Sequence, residues 1–207
     1  PLTPLSEQVL EIPSHYWEEA ISFDAYMQDM ERIIHEQKTL DDPPFVDKFQ
    51  YYILNQQRSK RLLKTYAPSA EFLQVLRNAS PQRWLIITEF WCGDSAQNIP
   101  PLHLMASASE GRIQLRLLFR DTHTELMDVF ATEGARSIPK LAVLNEHLRV
   151  INTWGPRPAE AQVLVKSLRA DPATRDFYAD HLHLWYAGDK CKSLEKEIDM
   201  LLTSVSQ

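Results

Sequence analysis

The stretch Trp91-Cys92-Gly93-Asp94-Ser95 constrains the fold more than any other part of the chain. It follows Trp84-Leu85-Ile86-Ile87, an apolar run whose length and β-branched content read as a buried strand. It precedes Ala96 to Met105, which reads as a helix. Cys92 is thereby expected where a strand ends and a helix begins. Free backbone N–H groups and the positive end of the helix dipole converge at such a point, and both favour a thiolate. The thiolate is the reactive form, so Cys92 is a candidate nucleophile. The plain alternative is a small buried hydrophobe.

Two further features bear on that choice. Ser137-Ile138-Pro139-Lys140-Leu141 opens another apolar run, with Pro139 placed 47 residues after Cys92. Ile138-Pro139 at a strand entrance is a candidate cis peptide bond. Pro100 falls eight residues after Cys92, inside the expected helix, where a proline should kink it.

Together these features resemble the thioredoxin family over about residues 70–170. That family carries Trp-Cys-Gly-x-Cys on a strand-to-helix turn, a kinking proline eight residues after the first cysteine, and a facing Gly-x-x-x-Ile-Pro loop. The matching loop here is Gly134-Ala135-Arg136-Ser137-Ile138-Pro139. The chain departs from the pattern at Ser95, which stands where the second cysteine would be. The resemblance therefore implies the fold, the nucleophile Cys92 and the facing Pro139, but not dithiol chemistry.

The order of elements agrees. Ile113 to Phe119 alternates apolar and polar residues, as a strand does, and Thr122 to Thr132 reads as a helix. Leu141 to Leu144 and Leu148 to Thr153 are strands joined by the short turn Asn145-Glu146-His147, an antiparallel hairpin. Gly155-Pro156-Arg157-Pro158 then breaks the chain before a helix over Ala159 to Arg169. The expected fold class is α/β, a thioredoxin-like central mixed sheet flanked by helices.

Helical extensions are expected on both sides of this core. In residues 1–80, Phe23, Tyr26, Met27, Met30, Ile33 and Ile34 keep helical spacing behind Ser22 as N-cap. Phe45, Phe49, Tyr52, Ile53 and Leu63 line a second helix, whose periodicity weakens after Gln56, and Phe72, Leu73 and Leu76 begin a third. The core takes residues 81–170. In residues 171–207, Phe177, His181, Leu184 and Trp185 suggest one amphipathic helix, Gly188-Asp189 interrupts, and Leu194, Ile198, Leu201 and Leu202 suggest another. All three segments are expected to pack as one unit, because the apolar faces of the extensions need burial.

Composition narrows the function. Across 207 residues the net charge of −6 argues against nucleic acid or an anionic membrane as partner, and no apolar run approaches membrane-spanning length. The first residues lack the basic segment and apolar core of a secretory signal. Two cysteines far apart do not make a disulfide scaffold, and a reducing cytoplasm is the expected setting. No zinc spacing, phosphate loop or dinucleotide fingerprint occurs, so no metal or cofactor is expected.

In the expected chemistry Cys92 attacks a disulfide and forms a mixed disulfide. Ser95 cannot resolve it, but its hydroxyl can donate to the thiolate. Asp94 suits a helix start yet repels a neighbouring thiolate. Gly93 allows a tight turn and the approach of a partner chain. Trp91 is expected to shield the site. The resemblance implies that Ser137, Ile138 and Pro139 face substrate, which pairs with them like an added strand. Glu89, at the end of the strand, is a candidate for proton transfer. Arg120, Asp121 and His123 end the second core strand near the same rim. Cys191, between Lys190 and Lys192, is a candidate resolving thiol whose ionisation the lysines would favour.

Three functions compete. One is a monothiol oxidoreductase acting on a protein disulfide or low-molecular-weight thiol, with an external thiol reductant. A second is a non-catalytic peptide-binding module. A third is iron–sulfur binding, because Cys-Gly-Asp-Ser resembles the Cys-Gly-Phe-Ser motif of monothiol glutaredoxins. Those proteins also present Thr-Val-Pro and Gly-Gly, whereas this chain has Ser-Ile-Pro and the single Gly155.

Overall fold

A computed structural model describes residues 10–38 and 46–205. Phe45 of the expected second-helix stripe lies outside the described residues. Four runs, two of them continuously apolar and two mixed apolar and polar, produce a four-stranded sheet. The strands are β1 (Gln82–Thr88), β2 (Ile113–Phe119), β3 (Lys140–Leu144) and β4 (Val150–Trp154), in spatial order β2-β1-β3-β4. β1 runs parallel to β2 and antiparallel to β3, with Trp84 opposite Leu115 and Val143. β3 and β4 form the antiparallel hairpin, with Leu141 opposite Trp154. The sheet is therefore mixed, in the thioredoxin-like order.

Strand periodicity sends alternate side chains to opposite faces. Trp84, Ile86, Ile113, Leu117, Leu141 and Val143 face one large core. Leu85, Ile87, Leu118, Ala142 and Leu144 face a second, which also contains Cys92 and Ile138. The first core is closed by α2 (Phe23–Lys38), α4 (Ala70–Asn78), α5 (Gly93–Ala108) and α9 (Lys192–Val205), whose apolar stripes all enter it. The second is closed by α1 (Ser14–Glu19) through Trp17 and by α6 (Thr124–Val129) through Leu126 and Met127. The extensions thus complete the burial of the sheet. Ser22 accepts from the Ala25 N–H at 3.1 Å, and Ser69 caps α4 through the Phe72 N–H at 3.2 Å.

Several boundaries differ from the sequence reading. α5 begins at Gly93, not Ala96, and runs through Pro100 and Pro101 to Ala108. α6 occupies only Thr124–Val129 of the expected 122–132, because Phe130 turns down into the core as Ala131 leaves the helix. α8 (Tyr178–Asp189) continues through Gly188, and the break falls instead at Lys190 and Cys191, both at positive φ. The buried stripe of α8 is also shifted by one residue. Leu182 and Tyr186 pack with Ala161 and Val165 of α7 (Ala159–Ala170), while Phe177 and Leu184 are exposed.

The weak periodicity of α3 (Val46–Thr65) has a physical cause. Its inner face carries Asn55 and Ser59, both buried, before returning to Leu62. This polar stretch lies against α5, where the Cys92 motif sits. No helix among the described residues is long and apolar enough to cross a membrane.

Candidate functional site

Cys92 is the N-cap of α5, at the junction the sequence specified. Its Sγ accepts from the Ser95 N–H at 3.4 Å, and its thiol donates to the Ile138 carbonyl at 3.3 Å. The Ile138–Pro139 bond is cis, and Ile138 and Pro139 are buried while Ser137 is half-exposed. A second cis bond, Gly155–Pro156, was not foreseen. Gly155 has φ +115° and lies so close to the Pro139 carbonyl that no Cβ fits there, which pins the proline loop to the turn after β4.

The ionisation of Cys92 runs against the expectation drawn from the helix start. Burial pushes the thiol up from 9.0 to about 11, and the Asp94 carboxylate pushes the same way. Hydrogen bonds from Ser95 and from the Ser95 and Asp94 N–H groups oppose them and lose. The residue is only 8% exposed, so desolvation of a charged sulfur outweighs the helix terminus. A carbonyl acceptor at Ile138 also favours the protonated form, since only the thiol can donate.

Ser95 is fully enclosed and accepts from the Thr88 hydroxyl at 2.8 Å. With its lone pair engaged by Thr88, its own proton is free for the sulfur. Asp94 is also buried and is held by partners that its local sequence does not announce. Arg157 grips it with Nη2 at 2.6 Å from Oδ2 and Nε at 3.1 Å. The Tyr186 hydroxyl donates to Oδ1 at 2.6 Å, and Asn98 Nδ2 donates to the Asp94 carbonyl at 2.8 Å and to the Tyr186 oxygen at 2.9 Å. Arg157 was legible only as part of a chain break, Gly-Pro-Arg-Pro, and Tyr186 only as a tail aromatic.

Gly93 is closely approached, but by the chain itself. A Cβ at Gly93 would lie 3.0 Å from the His183 ring and 3.5 Å from Arg58 Nη1. His183 comes from α8, and its Nδ1 meets the Gln97 side-chain amide at 3.2 Å. Burial pulls this imidazole down from 6.5 to about 4, and the Arg58 charge adds to that. It is therefore neutral at pH 7, accepting at Nδ1 from the Gln97 NH2 with its proton on Nε2.

Trp91 is half-buried between two cations, Lys48 Nζ at 5.2 Å from the ring centre and the Arg120 guanidinium at 4.9 Å. Glu89 is buried and its carboxylate accepts from the Asp121 N–H at 2.8 Å. Burial pushes its carboxyl up, and that N–H pulls it down. Its carboxylate faces the Asp121 and Arg120 rim, while its backbone carbonyl accepts from the Cys92 N–H at 3.2 Å. His123 is turned away, its Nδ1 on the Phe119 carbonyl at 2.8 Å and its Nε2 on Glu19 at 3.2 Å.

Cys191 does not join Cys92. It lies at positive φ between α8 and α9, beside Tyr66 and Glu195, in a pocket of about 440 Å³. Burial and Asp189 push its thiol up to about 12, with Arg61 opposing, so the adjacent lysines do not activate it. Both cysteines are free. Among the described residues no three His, Cys, Asp or Glu side chains gather as a metal site.

Comparison with known proteins bears on the fold and family. The chain is similar to a protein of unknown function from Pseudomonas aeruginosa at 16% identity and TM-score 0.63, covering 94% of this chain and 99% of that one. It is also similar to an HIV epitope scaffold at 18% identity and TM-score 0.53, covering 88% and 97%. These likenesses concern the fold alone. No curated protein matches the chain. A thioredoxin family model matches residues 43–169, which takes in α3 as well as the sheet and the Cys92 motif, and the chain belongs to that family.

Proposed function

We propose that this chain is a monothiol thiol–disulfide oxidoreductase in which Cys92 forms mixed disulfides with a protein disulfide or a low-molecular-weight disulfide. The observation that carries the reading is the Cys92 thiol at the start of α5, 3.3 Å from the carbonyl that precedes the cis Pro139. A disulfide arriving along Ser137 and Ile138 meets that sulfur. The Cys92 thiolate attacks one sulfur, the Cys92–S bond forms, and the other sulfur leaves with the electron pair as a thiolate. Ser95 stands where a resolving thiol would be, so an external thiol attacks the Cys92 sulfur and expels the substrate as a thiolate, and a second external thiol then attacks that new mixed disulfide, leaves as the external disulfide and returns Cys92 to its starting state. The net reaction reduces one disulfide and oxidises two external thiol equivalents.

The raised thiol sets the speed. With its pKa raised to about 11, Cys92 presents far less thiolate at neutral pH than an ordinary cysteine, so exchange there is slower. The same burial favours a second reading, in which the Ile138–Pro139 edge binds a peptide and the thiol is structural. Intact mass spectrometry after incubation with an oxidised small disulfide separates the two. The oxidoreductase reading requires one adduct per chain on Cys92, retained in Cys191→Ser, absent in Cys92→Ser and removed by added thiol. A protein that stays unmodified while binding peptide supports the second reading.

A further inference from the structure

Among the described residues no carboxylate meets the Arg58 guanidinium. Its only hydrogen-bond acceptor among the described residues is neutral, the Asn55 Oδ1, met by Nη1 at 3.0 Å. Asn55 is wholly buried and fixed in turn by donating from Nδ2 to the Phe90 carbonyl at 3.0 Å. The fork is therefore aimed from the backbone of the site itself, one residue before Trp91. Nη1 lies 3.5 Å from where a Gly93 Cβ would stand, so the cation borders the residue that follows the nucleophile.

Other arginines at the site are matched by carboxylates. Arg157 pairs with Asp94, Arg120 with Asp121 and Arg136 with Asp128. Arg58 instead faces another cation, Arg61, and the neutral His183. Half-burial and the neighbouring Arg61 pull its guanidinium down from its ordinary value. A chain of net charge −6 has many carboxylates to place beside it, yet places none there among the described residues. Asp94, the acid that follows Gly93, is already consumed by Arg157 and Tyr186.

A guanidinium with free donors in a fixed fork is suited to bidentate capture of a carboxylate. We infer that Arg58 is the anion-binding subsite for a carboxylate-bearing low-molecular-weight disulfide, whose sulfur is attacked by Cys92 while its carboxylate rests on the guanidinium beside Gly93. This rests on the oxidoreductase reading and narrows its substrate class. The exchange balances as before: Cys92 thiolate and R–S–S–R give Cys92–S–S–R and one R–S thiolate, an external R′–S thiolate displaces the second R–S thiolate from the Cys92 sulfur, and another R′–S thiolate releases R′–S–S–R′ and Cys92 thiolate.

The test compares two disulfides on protein carrying Cys191→Ser. One is 5,5′-dithiobis(2-nitrobenzoate), which bears two carboxylates; the other is 2,2′-dipyridyl disulfide, which bears none. Arg58→Gln is expected to slow the dicarboxylate about tenfold and to leave the dipyridyl rate within about twofold, with Arg58→Lys recovering part of the loss. Lys60→Gln, an exposed cation on the same helix, should change neither rate, which separates a site from general electrostatic steering. Sulfate added to the protein with Arg58 intact should inhibit only the dicarboxylate reaction, which keeps the test independent of how the variants fold. Equal loss with both disulfides, no loss with either, or an equal effect of Lys60→Gln overturns the subsite and leaves the oxidoreductase reading standing. A Cys92 inert to both disulfides overturns both.

Discussion

The Tyr186 hydroxyl donates to the Asp94 carboxylate at 2.6 Å, joining residues 92 apart in the chain. Asp94 lies between Cys92 and Ser95, so the C-terminal extension is bonded to the Cys92 motif itself. The Arg157 side chain is 15% exposed and that of Asp94 9%, so the ion pair beneath this bond is shielded from water. Removing one partner of such a pair leaves a buried charge uncompensated. Arg157→Met should therefore cost about 3–5 kcal/mol, and Tyr186→Phe, which removes one bond to the carboxylate, about 2 kcal/mol. Denaturant unfolding checks both, and the Arg157 effect should shrink sharply when Asp94→Asn is also present.

The thiol of Cys92 should respond in opposite directions to its two motif neighbours. Asp94→Asn removes a charge that pushes it up, so its pKa should fall below about 11 and alkylation at pH 8 should quicken. Ser95→Ala removes a donor that pulls it down, so its pKa should rise and alkylation should slow. Alkylation rates against pH, measured with Cys191→Ser present, report both signs.

Gly93 and His183 should be coupled. Alanine is the better helix former by about 1 kcal/mol, but at position 93 its Cβ would meet the His183 ring at 3.0 Å. Gly93→Ala is expected to destabilise the protein by about 1–3 kcal/mol through overpacking. In a His183→Ala background the same substitution should become neutral or stabilising. A double-mutant cycle measures the change of sign.

Much of the site's frame is visible in local sequence. The run Trp84 to Ile87, the turn at Cys92 and the Ile138-Pro139 entrance are short-range signals, and β1, α5 and β3 follow them. What surrounds the motif is not visible there, because its partners are long-range and polar. Asn55 and Arg58 sit where the helical hydrophobic pattern of α3 fades, and that fading is the imprint of a buried polar face. Tyr186 and His183 belong to a stripe displaced by one residue, since the exposed Phe177 and Leu184 imitate the apolar period. The ionisation of Cys92 is illegible for another reason: a helix start can be read from sequence, but the depth of burial that outweighs it cannot.

His183 should make the protein acid-sensitive. Its folded pKa, about 4, lies below the ordinary 6.5, because burial, Arg58 and Arg61 outweigh the opposing Asp94 and Asp180. Between those values the unfolded chain binds more protons than the folded one. Stability contributed by the neutral ring is thus intact above pH 6.5 and declines as pH falls toward 4. Denaturant unfolding at stepped pH should show this component in the wild type and its absence in His183→Gln.

In the proposed mechanism a single buried thiol, Cys92, performs the exchange without a resolving partner. Its most direct test is the rate of mixed-disulfide formation by Cys191→Ser protein with 2,2′-dipyridyl disulfide, followed from pH 6 to pH 12. One pyridinethione should be released per chain, with no internal disulfide afterwards and a rate that climbs with pH through an inflection near pH 11. Unchanged release from Cys92→Ser protein, or an inflection near or below pH 7, would contradict it.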